Sequence, residues 1–301
     1  MTPPLRLGTR GSWLAMLQSD LVAGMLRRRG HQVELVTVVT DGDRRPIGMS
    51  PGVGVFVTAL EQALLDGEVD LAVHSAKDLP LAMRDELTVA AFPSNREDPR
   101  DALVTAGGGY TLETLPRGST FGTDSPRRAG FVLHRRPDLR HRPIHGNVDT
   151  RLRKLGAGEV DALVLAAAGL DRLEWSGRID QRLDPEVVPP APGQGALAVQ
   201  CRAADARVME ALTALDDAAV RLAVLTERRV LAATGGSCRA PVGALAAVNR
   251  GRLCLLAGAA APDGSARCVL YQEDEPTQAG AFRIADKAGE ELLNKVVTNV
   301  A

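Results

Sequence analysis

Three short segments of the 301-residue chain gather the side chains best suited to chemistry. In VHSAKDLP (73–80) an apolar run ends in His-Ser-Ala-Lys-Asp just before a proline. Lys77 and Asp78 then stand at the carboxyl end of a predicted strand, where open α/β sheets bind ligands; a solvated turn is the plainer reading of the same pair. Residues Arg117 to Lys154 hold ten basic side chains against Asp124, Asp138 and Asp149, with His134, His141 and His145 among them. Arginine presents a planar fork that grips carboxylate or phosphate at two points. Each such charged hydrogen bond adds about 1.5–3 kcal/mol, so arginines at this density imply a polyanionic ligand. Arg127 and Arg128 follow Ser125 at a predicted helix N-terminus, itself an anion site. In ATGGSCRAPVG (233–243), Cys238 lies in a glycine loop beside Arg239, which favours the nucleophilic thiolate. Cys201, Cys254 and Cys268 lie in strand-like apolar contexts and read as core residues.

The elements that must position these residues follow an α/β rhythm. LRLG (5–8) is strand-like, and Ser12 is placed to cap a helix whose apolar residues Trp13, Leu14, Leu17, Leu21 and Met25 recur at helical spacing. A strand at 31–39, a helix at 55–67 stopped by glycine, and strands at 69–75 and 87–92 complete a mainly parallel sheet with helices on both faces. After the charged stretch 94–101 the rhythm restarts. A strand at 119–123, a helix at 125–136 with Pro126 in its first turn, and a buried strand at 160–170 entering another helix predict a second domain of similar design. The prolines and glycines of VVPPAPGQG (187–195) mark a linker, and ALAVQC after it is a late strand able to pair back into the first sheet. From about 216 a long helix, the GGSC loop, three strands and a closing helix predict a smaller α+β domain. The expected domains are 1–94 with 195–213, 99–189, and 217–301.

Composition narrows the function classes. Lys plus Arg is 36 against 37 Asp plus Glu, a net charge of −1, and aromatics are 3% of the chain. That disfavours a generic nucleic-acid coat, a base-stacking platform and a membrane-surface binder. The average conceals an asymmetry: 117–154 carries a local excess of seven positive charges, leaving the rest of the chain eight negative. Only four basic residues are lysine, Lys77 among them. Four cysteines without a C-x-x-C pair are neither a disulfide framework nor a zinc site, so a reducing compartment and no metal are expected. MTPPLRLGTRGS has no basic segment followed by an apolar core, and no run reaches the ~20 apolar residues of a membrane span. A cytoplasmic protein is expected.

Taken in order, LGTRGSWLA (7–15), VTDGD (39–43), VHSAKDLP (73–80), EDPRDALV (97–104), GTDSPRRA (122–129), HGNVDTRL (145–152), DALVLAAAGLDRL (161–173), PAPGQGALAVQCR (190–202), ERRVL (227–231) and GGSCRAPVGA (235–244) resemble the porphobilinogen deaminase (hydroxymethylbilane synthase) family over nearly the whole chain. The resemblance implies two periplasmic-binding-protein-like α/β domains flanking an active-site cleft, plus the small C-terminal domain, in a monomeric transferase of tetrapyrrole biosynthesis. It implies head-to-tail joining of four porphobilinogen molecules with loss of ammonia, on a dipyrromethane cofactor held by a thioether to Cys238. Each ring carries two carboxylates, which accounts for the arginines without nucleic acid. The deaminated ring is a cation, which calls for a fixed carboxylate in hydrogen-bond reach. Asp78 matches the family's catalytic aspartate and Lys77 its neighbour. Arg10, Ser12, Thr123, Ser125, Arg127, Arg128, Arg151 and Arg172 match residues that hold cofactor or substrate, Asp43 matches a cleft aspartate, and the glycines at 193–195 match the interdomain crossover.

The chain departs from the family pattern at several points. His145 stands where the family carries an arginine that binds the primer, and a histidine of ordinary pKa near ~6.5 is mostly neutral at pH 7 and has no two-point fork. Val53 and Thr58 stand where many members carry lysines, and with the chain ending soon after EELLNKVV a trimmed last element of the third domain is expected. Two competing expectations follow: a weakened paralogue of the same fold, or a non-catalytic two-lobed binder of small carboxylates, which requires neither Asp78 nor Cys238.

Overall fold

Leu5–Thr9 (β1), Val33–Thr37 (β2) and Leu71–Ser75 (β3) are short runs rich in Leu and Val that pair in parallel, Leu5 opposite Val33 and Leu7 opposite Leu71. Parallel strands need crossovers, and the helices Trp13–Arg27 (α1) and Val55–Leu65 (α2) lie between them in sequence. The computed structural model describes residues 3–39, 55–94, 96–236 and 240–297. It divides the chain into two units, Met1–Arg96 with Ala196–Arg221, and Glu97–Gly195 with Leu222–Ala301. Asp43, Val53 and Cys238 lie outside the described residues.

In the first unit the late strand Leu197–Arg202 (β10) inserts between β3 and Leu87–Ala91 (β4), antiparallel to both, giving the order β2-β1-β3-β10-β4. It is buried from Leu197 to Cys201, the polar Gln200 included, as a central strand covered on both faces must be. One face packs Val22 and Leu26 of α1, with Val208 and Leu212 of Ala206–Thr213 (α6), against Leu7, Leu71 and Val199. The other packs Leu60 and Leu64 of α2 against Val69 and Ala72. The sheet is therefore mainly parallel with one antiparallel strand, contributed by sequence about 120 residues downstream of its neighbour β3.

The second unit contains a sheet of the same plan, built from Asp101–Thr105 (β5), Thr120–Gly122 (β6), Arg140–Arg142 (β7), Ala162–Ala166 (β8) and Gln181–Arg182 (β9). The order is β7-β6-β8-β5-β9; β6 is parallel to β7 and β8, and β5 is antiparallel to β8 and β9. Pro126–Arg135 (α3) covers one face through Phe131 and Val132, while Val148–Gly156 (α4) and Ala167–Arg172 (α5) cover the other through Leu155 and Leu170.

The same unit holds an antiparallel sheet of Val242–Asn249 (β11), Arg252–Ala260 (β12) and Arg267–Asp274 (β13), entered from the helix Ala218–Ala233 (α7) and closed by Gln278–Leu292 (α8). Close backbone contact joins it to α3 and to the segment before residue 195. A Cβ on Gly130 would strike the Ala261 carbonyl, one on Gly243 would strike that of Pro189, and His134 Nδ1 lies 3.0 Å from the Gly264 carbonyl oxygen. The α/β class, and the α+β character of the C-terminal part, are what the three sheets show.

Candidate active site

The candidate residues of the first unit stand at the carboxyl ends of adjacent parallel strands. β1 pairs with β3 through Leu7 and Gly8, so the loops after Thr9 and Ser75 leave the same edge of the sheet. Arg10, half-buried, follows β1, and Ser12 caps α1 by accepting from the Ala15 amide at 3.4 Å. At the end of β3 the chain turns through a single 3-10 turn, Ala76–Asp78. Ala76 and Leu79 are buried and hold the turn down, Lys77 is half-buried, and Asp78 is exposed. The Ala76 amide donates to the Ala196 carbonyl at 3.0 Å, and the Ser75 hydroxyl accepts from Gln18 of α1 at 3.0 Å. Asp78 is thus a solvent-facing carboxylate on a turn tied to α1 and β10. Thr58, at one of the two departures from the family lysines, is exposed on α2.

The candidates of the second unit occupy the equivalent edge of their own sheet. Thr123 is buried directly after β6, its hydroxyl accepting from the Ser125 amide at 3.3 Å, and Ser125 caps α3 by accepting from the Arg128 amide at 3.4 Å. His145, half-buried after β7, has Nδ1 2.9 Å from Asp124 Oδ2, a distance for an ion pair when the ring is protonated, but off the alignment of a hydrogen bond. Arg151 folds back so that its Nε donates to the Gly146 carbonyl at 2.7 Å. Arg172 ends α5; its Nη2 donates to the Gly195 carbonyl at 2.6 Å, and its Nε is buried with no hydrogen-bond partner among the described residues. Burial pulls the Arg172 guanidinium down to about 10, partly offset by Glu97 and Asp171, so it stays charged at neutral pH.

Arg127 and Arg128 are placed differently from an exposed anion grip. Both side chains are nearly inaccessible, 3% and 8% exposed, and converge on Asp101, which is fully buried at the head of β5. Arg127 Nη1 donates to Asp101 Oδ2 at 2.7 Å and to the Pro189 carbonyl at 2.5 Å; Arg128 Nε donates to Asp101 Oδ1 at 2.9 Å. Burial pushes the Asp101 carboxyl up, but the charges of Arg127 and Arg128 override it and hold it well below the usual carboxylate range. Two guanidinium groups share one carboxylate, leaving a buried excess of one positive charge.

Residues that sequence reasoning did not single out complete this arrangement. Gln194 Nε2 donates to Asp101 Oδ1 at 2.9 Å and to the Pro99 carbonyl at 2.7 Å, while its Oε1 accepts from Arg128 at 3.2 Å. Glu227, fully buried on α7, accepts from the Gly193 amide at 2.7 Å and the Ala246 amide at 2.9 Å. The Gly-Gln-Gly segment is therefore pinned at Gly193 by Glu227, at Gln194 by Asp101, and at Gly195 by Arg172. An aspartate opening an otherwise apolar strand, and a glutamate inside an amphipathic helix, were the available signals. The partners of both were invisible until the chain folded.

A bis-pyrrole bearing acetate and propionate groups needs forked or charged donors. The open Nε of Arg172, the excess charge at Arg127 and Arg128, and the capped start of α3 fit such a ligand in donor type. Among the described residues no group of three or more His, Cys, Asp or Glu is placed to hold a metal ion.

Two family descriptions match the chain: "Porphobilinogen deaminase, dipyromethane cofactor binding domain" over residues 5–210 and "Porphobilinogen deaminase, C-terminal domain" over residues 221–294. A porphobilinogen deaminase of Acidothermus cellulolyticus is 50% identical over 301 residues, covering 96% of this chain and 90% of the relative. One of Cutibacterium acnes is 46% identical, covering 99% and 96%. Among solved structures, an ABC transporter periplasmic substrate-binding protein from Coxiella burnetii aligns with 70% of this chain and 91% of its own at 17% identity and a TM-score of 0.44. The Bordetella pertussis BvgS periplasmic VFT2 domain covers 70% and 86% at 19% identity and 0.42.

Proposed function

Because the chain belongs to the porphobilinogen deaminase family, we propose that it joins four porphobilinogen molecules head to tail, releasing ammonia, to give hydroxymethylbilane in tetrapyrrole synthesis. The observation that carries this reading is the match to both family domains across residues 5–210 and 221–294. The geometry supports it in the two places where the reaction makes demands. A cationic pyrrole needs a carboxylate that is held but still accessible, and Asp78 is exposed on a turn anchored by buried Ala76 and Leu79. We assign Asp78 to the pyrrole N–H groups and Lys77 to its support. A carboxylate-studded product needs charged donors, which we assign to Arg10, Arg151 and Arg172, with the hydroxyls of Ser12, Thr123 and Ser125 and with His145 in place of the family arginine. Arg127 and Arg128 act in this reading as one unit with Asp101, supplying a fixed positive field rather than two free forks.

The dipyrromethane group, when bound, supplies the nucleophilic pyrrole to which the first substrate joins; we assign its attachment to Cys238 and its carboxylates to the arginine set. Asp43 is assigned to the same site by the family match alone. We also propose three domains, 1–94 with 195–213, 99–189 and 217–301, a division supported by the three separate sheets. A monomeric, cytoplasmic enzyme is the form we propose. The unpaired thiols of Cys201, Cys254 and Cys268 support a reducing compartment, and light scattering on purified protein tests the monomer. Among the described residues no helix is long and apolar enough to cross a membrane.

Intact mass tests the function directly. Purified protein should carry the added mass of two pyrrole units, and Cys238→Ala should lose it. An unmodified mass after exposure to porphobilinogen would refute the proposal.

A further inference from the structure

Among the ionisable side chains buried in the first unit are His74 on β3, 5% exposed, and Glu61 on α2, 6% exposed. Fully buried Gln200 of β10 links them. Its Nε2 donates to Glu61 Oε1 at 3.0 Å, and its Oε1 lies 3.0 Å from His74 Nε2. The bonds fix one another. A carboxylate accepts only, so it holds the amide nitrogen of Gln200 on its own side and turns the amide oxygen toward the imidazole. That oxygen also accepts only, so the proton of a neutral His74 must sit on Nε2. Burial pushes His74 down to about 4, with the Gln200 contact opposing it, so the ring is neutral near pH 7 and keeps this single tautomer.

The trio interrupts an apolar face. Its neighbours between α2 and the sheet are Leu60, Ala63, Leu64 and Ala72, and buried polar groups there are tolerated only because each is bonded. Stability alone does not call for it, since well-packed apolar replacements of buried polar clusters are often neutral or stabilising. Its position suggests another use. The ladder from β1 to β3 ends at Gly8 and Ala72, whereas β10 stays paired with β3 through Ala198 opposite His74 and Leu197 opposite Ser75. The last residues of β3 before the Ala76–Asp78 turn are thus laddered on one side, and the trio ties that end to β10 and α2 together.

On the functional reading above, we propose that Glu61, Gln200 and His74 are a positioning relay for the Lys77–Asp78 turn: they touch no substrate, and they set where the Asp78 carboxylate stands. A displacement of about 1 Å in a catalytic group costs up to about a hundredfold in rate, so loss of the relay should show in turnover beyond any loss of stability.

The test uses the full chain with its primer in place and compares Gln200→Leu, which removes both bonds, with Glu61→Gln, whose amide oxygen can still accept from Gln200 Nε2 and which leaves the His74 bond in place. Gln200→Leu leaves His74 and Glu61 buried without their shared partner, so its melting temperature should fall by several degrees; measured well below that midpoint it should keep primer mass and KM within about threefold, while kcat falls about tenfold or more. Glu61→Gln should keep kcat within about threefold. If Gln200→Leu fails to fold, Gln200→Met, closer in volume, takes its place. The relay is refuted if the apolar variant keeps wild-type kcat, if its kcat falls only in step with primer loss or unfolding, or if both variants lose kcat equally. Wild-type protein that neither carries primer nor consumes porphobilinogen would refute the functional reading instead, and the relay with it.

Discussion

Replacing Asp101 by Asn keeps the shape of the side chain and removes the one negative charge between Arg127 and Arg128. The three side chains are 0%, 3% and 8% exposed, so water cannot take over the lost role. Breaking a buried ion pair by removing one partner costs about 3–5 kcal/mol, because the other charge is left uncompensated, and here two guanidinium groups are left. A unit of this size loses about 2–4 °C per kcal/mol, so Asp101→Asn should lower the thermal midpoint by on the order of 10 °C. The pH dependence has a fixed sign. The native carboxyl titrates below its unfolded value, so its contribution is present above about pH 4 and is lost as pH falls through the depressed native value. The difference between wild type and Asp101→Asn should therefore be widest near neutrality and shrink in acid. Adding Arg127→Met should recover part of the loss, because one uncompensated charge then remains instead of two. Calorimetric melts of the four proteins complete the cycle. A midpoint within about 3 °C of wild type for Asp101→Asn, or a double variant no better than the single one, would show that the cluster is not the electrostatic centre argued above.

Three further outcomes are expected. His145→Arg restores a two-point donor opposite Asp124 and should raise primer occupancy by intact mass, or the rate of porphobilinogen consumption; unchanged values would mean that His145 already serves. Gly195→Ala should sharply reduce the yield of folded protein, because the residue sits at φ +87° and the added Cβ would strike the Glu97 carbonyl; a variant with wild-type melting and turnover would contradict that packing. Neutral, buried His74 binds its proton near 4 in the fold against about 6.5 when unfolded. Stability is then fully present above about pH 6.5 and falls as pH drops toward 4, by about 3 kcal/mol. Urea titrations of wild type and His74→Leu between these limits should show the slope flattened in the variant.

Much of the molecule was legible before folding. The capping of α1 by Ser12 and of α3 by Ser125, the glycine stop after α2 and the apolar strands ending at Ser75 and Ala166 are local features, fixed by hydrogen bonds and periodicities spanning a few residues. The late strand after Gly195 was readable as able to return to the first sheet because ALAVQC resumes a strand directly after the proline- and glycine-rich linker, while the buried polar Gln200 within it found its meaning only in the fold. The strands at Arg140–Arg142 and Gln181–Arg182 carried too little pattern of their own, being two or three polar residues that become strands only by pairing with a formed neighbour, whereas Asp101–Thr105, apolar between its ends, lies hidden beside the charged stretch 94–101.

The site divides along the same line. Residue type and order alone pointed to a strand-end aspartate, a concentration of arginine and a cysteine among glycines as candidates, because charge and nucleophilicity belong to single side chains. What each arginine faces belongs to the fold. Sequence placed Arg127, Arg128 and Arg172 in one class, and the structure separates them: the first two turn inward onto Asp101, and the third keeps a buried Nε without a partner. Asp101, Gln194, Glu227 and the trio of His74, Gln200 and Glu61 act through partners 19 to 139 residues away. A buried polar group is defined by what satisfies it, and only the tertiary structure brings those partners into reach.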